Sequence, residues 1–235
     1  MIRETPPRVT IAAVTFDVGG TLIEPWPSVG HVYAEVAASF RLAGLNPDAL
    51  NRGFAAAWKR GSGHDYSRAA WQSLVNETFA SAGAAQPSDE CFNALYARFV
   101  EADAWRVFDD ARPALESLRS LGLRLAIVSN WDERLRPLLD ALDLTRWFQV
   151  IVISHEVGHA KPSPEIFLHA AARLHLPPAS ILHIGDSTRE DLGGASSAGM
   201  LSVLLDRDRS KAAGQAIPTL ALLPSLLASL SHQSS

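Results

Sequence analysis

The sequence predicts an α/β protein, a doubly wound parallel sheet with an all-helical cap inserted after its first strand. Three observations predict it. Short apolar runs, partly β-branched and without strict alternation, are separated by helical patterns from about residue 107 onward, as in a parallel sheet covered on both faces. Residues 25–106 read as helix throughout and separate the first strand from the second. Polar residues gather where the strand-like runs end, the edge at which open parallel sheets bind ligands.

In order, the first strand is read from Val9 to Phe16, ending in the turn Asp17-Val18-Gly19-Gly20-Thr21-Leu22. Pro25-Trp26-Pro27 reads as a stiff hinge, with Trp26 placed to shape a site entrance. The insert's helices are read at Ser28 to Ala43, Asp48 to Arg60, Arg68 to Ala82 and Asp89 to Asp103, parted by the turn-rich stretches 44–47, 61–64 and 83–88. Trp71, Phe79, Phe92 and Phe99 recur at helical spacing and read as the insert's own core. Further strands are read at Arg124 to Ser129, Val150 to Ser154, Ile181 to Ile184 and Ser202 to Leu205. Helices lie around them at Arg112 to Leu121, Glu133 to Leu142, Pro164 to Leu174 and Arg189 to Ala198. Gly122 and Pro164 supply the expected stop and start signals. A short docked helix from Pro218 to Leu230 and a frayed end complete the chain. The domain reading is a core of residues 1–24 and 107–235 and a cap of residues 25–106.

Composition narrows the function classes. The 235 residues are 47% apolar and 20% charged, enough for a substantial core. A net charge of −4 argues against nucleic acid as the principal ligand. No apolar run is long enough to span a membrane, and the first residues lack the apolar stretch of a secretory signal. The single cysteine, Cys91, reads as a packed side chain in a reducing, cytoplasmic setting. A monomer or homodimer acting on a small molecule is the expectation.

The strand ends carry the chemistry. Asp17 follows the first strand, Ser129-Asn130 the second and Gly185-Asp186-Ser187 the fourth; Asp191 lies five residues beyond Asp186, and Lys161 precedes a helix. A nucleophilic carboxylate, a hydroxyl, a lysine and an acidic pair form a coherent set for group transfer. Taken singly, each has a plainer reading: Asp17 or Asp186 as a turn acid, Ser129 as a turn residue, Lys161 as a solvated charge, Asp191 as a helix N-terminal acid. His155, His159 and His183 share no metal-ligand spacing and read as structural or rim residues.

These residues resemble the haloacid dehalogenase-like (HAD) hydrolase superfamily, in the branch with a helical cap. The stretches Ser129-Asn130-Trp131-Asp132-Glu133-Arg134-Leu135 and Lys161-Pro162-Ser163-Pro164-Glu165-Ile166-Phe167 are similar to its rhythmically expressed gene 2-like subgroup, and residues 185–195 to the family's fourth motif. The resemblance implies phosphoryl transfer through an aspartyl-phosphate on Asp17 and a Mg²⁺ ion held by Asp17, the Gly19 carbonyl and Asp186, supported by Asp191. It also implies Ser129 and Lys161 as catalytic groups, with Gly20 and Asn130 at the phosphoryl oxygens. The expected substrate is a small phosphorylated metabolite.

One position departs from the family's phosphatases, which carry an acid two residues after the nucleophile where this chain has Gly19. General acid–base help is worth about 10²–10⁴ in rate, so turnover of alkyl phosphates is expected to be slow unless another group serves. Glu24, His64 and the substrate itself remain open as that group. Dehalogenases of the family also lack this acid, but they carry an aromatic residue there and need no metal, so carbon–halogen hydrolysis is the rival expectation. A catalytically weak member that binds a phosphorylated ligand or a protein is the other.

Overall fold

The computed structural model describes residues 10–60, 66–209 and 216–232. β1 (Ala13–Phe16) is buried along its whole length. After the glycine turn come β2 (Ile23–Pro25), the helices α1 (Val29–Ala38), α2 (Pro47–Arg60), α3 (Arg68–Ser81) and α4 (Asp89–Arg98), and β3 (Trp105–Val107). There follow α5 (Ala111–Ser120), β4 (Arg124–Ser129), α6 (Leu135–Ala141), β5 (Val150–Ile153), α7 (Ser154–Val157) and α8 (Pro164–Leu174). β6 (Ile181–Gly185), α9 (Gly194–Ser197), β7 (Leu201–Leu205), β8 (Ala216–Ile217) and α10 (Leu223–His232) close the chain.

Six parallel strands form one sheet in the order β5-β4-β1-β6-β7-β8. The chain builds outward from β1 through β4 and β5, then crosses to β6 on the other side, which makes the carboxyl end of β1 the switch point. The two-residue period of the strands divides their side chains between two faces. Val14, Phe16, Ile127 and Ile184 join Leu115 and Leu118 of α5, Leu138 of α6 and Leu223 of α10. Ala13, Val128 and Ile181 join Ile166, Phe167 and Ala170 of α8. Each fully buried Leu, Ile or Phe contributes about 1.5–3 kcal/mol, so both helical layers are needed to hold the sheet.

The insert has its own core, in which Tyr33, Leu50, Phe79, Phe92 and Leu95 pack together with the free thiol of Cys91. Serine side chains start three of its helices: Ser28 accepts from His31 N, Ser67 from Ala70 N and Ser88 from Cys91 N. The block leaves and re-enters the core through one ribbon, in which β2 pairs antiparallel with β3 and Ile23 faces Val107.

The expected architecture holds, and several bounds move. α1 ends at Ala38 rather than Ala43, because the backbone turns left-handed at Arg41. α4 ends at Arg98 rather than Asp103, giving way to a 3₁₀ turn over Ala102–Ala104 that leads into β3. The helix expected from Arg189 opens as a π-helical turn over Thr188–Gly193 before α9. The C-terminal segment begins with β8 and a 3₁₀ turn over Leu220–Leu222, and only then becomes helix. Val9, the joint at residues 61–65 with His64, and the last three residues lie outside the described residues. Among the described residues no helix is long and apolar enough to cross a membrane.

Candidate active site

β1 lies between β4 and β6 with Phe16 aligned to both Ile127 and Ile184, so the residues just past these strands converge. The hydroxyl of Ser129 donates to Asp17 Oδ1 at 3.0 Å. Lys161 Nζ donates to that same oxygen at 2.6 Å and to Asp191 Oδ1 at 2.6 Å. Asp191 is held further by His183 Nε2 at 3.1 Å and, through Oδ2, by the Ser187 amide at 2.9 Å. His183 is fully buried and meets Thr15 Oγ1 through its other ring nitrogen, which makes it a structural support beneath the site. His155 and His159 are exposed.

Asn130 fixes the loop that carries the lysine. Its Oδ1 accepts from the Lys161 amide at 2.6 Å, and its Nδ2 donates to the Lys161 carbonyl at 2.9 Å. The same amide group donates to the Tyr66 hydroxyl at 3.2 Å and to Glu190 Oε2 at 3.3 Å.

Two glycines let the carboxylates approach. Gly20 has a φ of +74°, and a Cβ there would come within 2.8 Å of Asp186 Oδ2. A Cβ on Gly185 would lie 2.1 Å from Asp191 Cγ. Both positions therefore admit only glycine while the acids stay where they are.

The buried charges are strongly coupled. Burial pushes the Asp17 carboxyl up to about 6; Lys161 pulls it down, while Asp191 and Asp186 raise it. Burial alone would lower the Lys161 ammonium, but Asp17 and Asp191 outweigh it and hold it protonated, well above the ordinary lysine range. Asp191 is held ionised against burial by Lys161 and His183. One lysine thus faces an acidic cluster that it does not neutralise.

That imbalance is the test for a metal. One carboxylate oxygen from each of Asp17, Asp186 and Asp191 lies within 4.8 Å of the others. Asp17 and Asp191 are buried and Asp186 half-buried, and with one ammonium, Lys161, shared between the first two, the three acids still carry excess negative charge that a further cation would offset. An all-oxygen donor set suits a hard divalent ion. The residues therefore fit a divalent cation.

Gly19 lines the same cavity, and its neighbour is Trp131. A Cβ at position 19 would lie 3.4 Å from Trp131 Cζ3, in ordinary contact, so an indole occupies the ground beside the position where the phosphatases' acid starts. The Trp131 backbone is clamped by Ser154 Oγ, which accepts from its amide at 3.0 Å and donates to its carbonyl at 3.1 Å. Glu24, by contrast, pairs with Arg106 across the β2–β3 ribbon and does not line the cavity. Trp26 stacks against that same Arg106, 4.0 Å from its guanidinium carbon, and is likewise not in the lining.

From the acids a cavity of about 580 Å³ runs between the core and the helical insert. Trp71, Phe92 and Phe99, expected only as insert core, contribute to its wall. Arg134, also in the wall, is buried and bound bidentately to Asp132 at 2.9 and 2.6 Å, and donates to the Tyr96 carbonyl at 3.2 Å. Its charge is thereby met within the protein, and its guanidinium lies 3.7 Å over the Tyr96 ring. Tyr66, Glu190, Trp131 and Arg134 belong to this site, and the strand-end rule did not single them out. For Trp131, Arg134 and Glu190 the signal was adjacency to motif residues; Tyr66 follows the insert's joint at residues 61–64 and reaches Asn130 only through the fold.

The switch-point placement of a buried carboxylate, hydroxyl, lysine and acid cluster beneath a helical insert defines the class of capped α/β hydrolases. The chain belongs to the haloacid dehalogenase-like hydrolase family, whose description matches residues 11–199. It is 34% identical over 230 residues to haloacid dehalogenase-like hydrolase domain-containing protein 3 of Danio rerio, covering 93% of this chain and 95% of that one. It is 29% identical to the rhythmically expressed gene 2 protein of Drosophila melanogaster, over 82% of each chain. It is also 30% identical to a phosphoglycolate phosphatase of Salmonella typhi, covering 82% of this chain and 80% of that one. Among solved structures, YfnB of Bacillus subtilis, bound to magnesium, superposes with a TM-score of 0.75 at 20% identity, covering 93% and 99%.

Proposed function

We propose that the protein is a Mg²⁺-dependent phosphohydrolase that cleaves a small phosphate ester or anhydride through an aspartyl-phosphate on Asp17. The observation that carries this reading is the junction at Asp17, whose Oδ1 accepts from both Ser129 and Lys161 while Asp186 and Asp191 each bring an oxygen within 4.8 Å of the carboxylate. In this reading Asp17, Asp186 and the Gly19 carbonyl would hold the ion, and Asp191 orients Lys161. A bound divalent ion would offset charge on the phosphoryl oxygens and on the acids.

The two donors fall on Oδ1, so Oδ2 is the oxygen we assign to attack phosphorus. Lys161 and Ser129 then serve twice: they fix the nucleophile's rotamer and offset charge on the transferring group. In this reading the backbone amides of Val18 and Gly19 complete the phosphoryl seat; the expected donors Gly20 and Asn130 are engaged elsewhere, the Gly20 amide with the Ile23 carbonyl at 2.8 Å and the Asn130 side chain with the lysine loop. In the domain arrangement we infer, residues 25–106 form the cap and residues 1–24 and 107–235 the core, with the cap excluding water from the chemistry. Family relatives that are phosphatases support the reaction class, and the single, unpaired cysteine fits a reducing, cytoplasmic setting.

The test is Asp17→Asn with phosphate esters in the presence of Mg²⁺. Turnover should fall by at least about 10³, the scale of losing a covalent nucleophile, while the circular dichroism spectrum is retained. Chelation should stop the wild-type protein as well. Activity on a 2-haloacid that survives chelation would establish the dehalogenase reading instead.

A further inference from the structure

Two features of the cavity converge on the chemistry of the substrate's organic part. The first is the leaving-group side of the site. An acid that protonates a departing oxygen starts, in the family's phosphatases, at the position of Gly19, and here the Trp131 indole stands 3.4 Å from where its Cβ would be. The second is the character of the wall. Trp131 packs on Trp105, with ring centroids 5.4 Å apart. From the insert, Trp58 packs on Trp71 at 5.8 Å and on Tyr66 at 6.2 Å. All five of these aromatic residues line the cavity that begins at Asp17. Arg134, which also lines it, is committed to Asp132 and offers little to a second anion.

We propose that the substrate is an aryl phosphate, its phosphoryl group at Asp17 and its ring stacked among Trp58, Trp105 and Trp131. The inference rests on the phosphohydrolase reading and narrows it. Aromatic walls reward a ring through offset or edge-on stacking, and the same ring makes the absent acid unnecessary. A phenol ionises near pH 10, as tyrosine does, whereas an alkanol resembles water at about 15.7. An aryl oxygen can therefore leave unprotonated.

The step balances without a further reactant. A carboxylate oxygen of Asp17 forms the new bond to phosphorus as the phosphorus–aryl oxygen bond breaks. The bonding pair departs on a phenolate, which takes its proton from solvent. Water then cleaves the aspartyl-phosphate, restoring the carboxylate and releasing inorganic phosphate, with the water's proton passing to phosphate or solvent. The acyl-phosphate formed in the first step is itself an activated anhydride, so the second step asks less of a base than attack on an ester would.

The experiment compares 2-naphthyl phosphate, phenyl phosphate, acetyl phosphate and glycerol 2-phosphate with Mg²⁺ and the full chain. Aryl phosphates should exceed glycerol 2-phosphate in kcat/KM by at least about 10², the low end of what a missing general acid costs. The rate should fall steeply as ring substituents raise the phenol's pKa. Ring recognition is read apart from leaving-group reactivity by inhibition of acetyl phosphate hydrolysis. 2-Naphthylmethylphosphonate should inhibit on the order of tenfold more tightly than methylphosphonate, the equivalent of one or two aromatic contacts. Trp58→Ala should reduce that preference, and the wild-type comparison stands even if the variant does not fold. Asp17-dependent hydrolysis of acetyl phosphate with no gain from a ring, in rate or in inhibition, would overturn the proposal and leave the phosphohydrolase reading intact. Failure of the folded protein to hydrolyse any of the four overturns both.

Discussion

Gly19 is the residue whose meaning the structure changes most. As a gap in a motif it asks only for an acid to be restored. Beside Trp131 it becomes one half of a complementary pair, a missing side chain with an indole at 3.4 Å from its would-be Cβ. A Cβ fits at that distance, but a carboxylate must compete with the ring for the space beyond it. We therefore expect Gly19→Asp alone to raise kcat/KM on glycerol 2-phosphate by less than about tenfold, whereas Gly19→Asp with Trp131→Ala recovers on the order of 10² or more. Steady-state kinetics on the single and double variants checks this, and a large gain from the single variant would show that Trp131 does not restrict the position.

At the scale of elements, the joint between α5 and the C-terminal segment is a charged one. Asp110 stands at the N-terminus of α5, yet its carboxylate turns to the far end of the chain. It accepts from Arg207 at 3.0 Å through each oxygen and from the Leu220 amide at 2.9 Å, with Thr219 Oγ1 as a further donor. Burial raises the Asp110 carboxyl, but these hydrogen bonds outweigh it and hold it below the ordinary aspartate range. A carboxyl lowered on folding adds stability above its unfolded pKa of about 4, and that share disappears as the pH falls through the lower folded value. Asp110→Ala should cost about 1–3 kcal/mol at neutral pH. Its unfolding free energy should also fall less than that of the wild type between pH 5 and the acid limit, as measured by urea titration across that range. An equal fall in both proteins would remove Asp110 from the account.

For the whole molecule, the acid cluster is a cost that ligand binding can reverse. Asp17, Asp186 and Asp191 crowd one edge of the sheet, and Lys161 offsets only part of their charge. A cation bound only by the folded state stabilises it by mass action, by about 2.7 kcal/mol at a hundredfold excess over its Kd. For a chain of this length that is a rise in Tm of several degrees. Thermal unfolding with and without Mg²⁺ should show the rise in the wild type and its loss in Asp186→Asn. A rise of equal size in the variant would place the ion elsewhere.

The sequence by itself determined the doubly wound sheet, the helical insert and the polar residues that gather at one edge of the sheet. Parallel strands buried on both faces are mostly apolar, so the polar residues at and just beyond their ends stand out: Asp17, Ser129 and Asp186, with Lys161 and Asp191 in the segments that follow. The three-residue strands Ile23–Pro25 and Trp105–Val107 were too short to carry a period, and the π-helical turn at Thr188–Gly193 has the same pattern as an α-helix. Tertiary structure alone decided what surrounds the acids. Which aromatic residues face a cavity and which fill a core depends on how the insert sits on the sheet, and helical spacing is the same for both. Trp71, Phe92 and Phe99 looked like core alone and also line the cavity. Trp131 looked like a neighbour of Asn130 in the chain and proved to be a neighbour of Gly19 in space, a contact between the ends of two strands that no local pattern encodes.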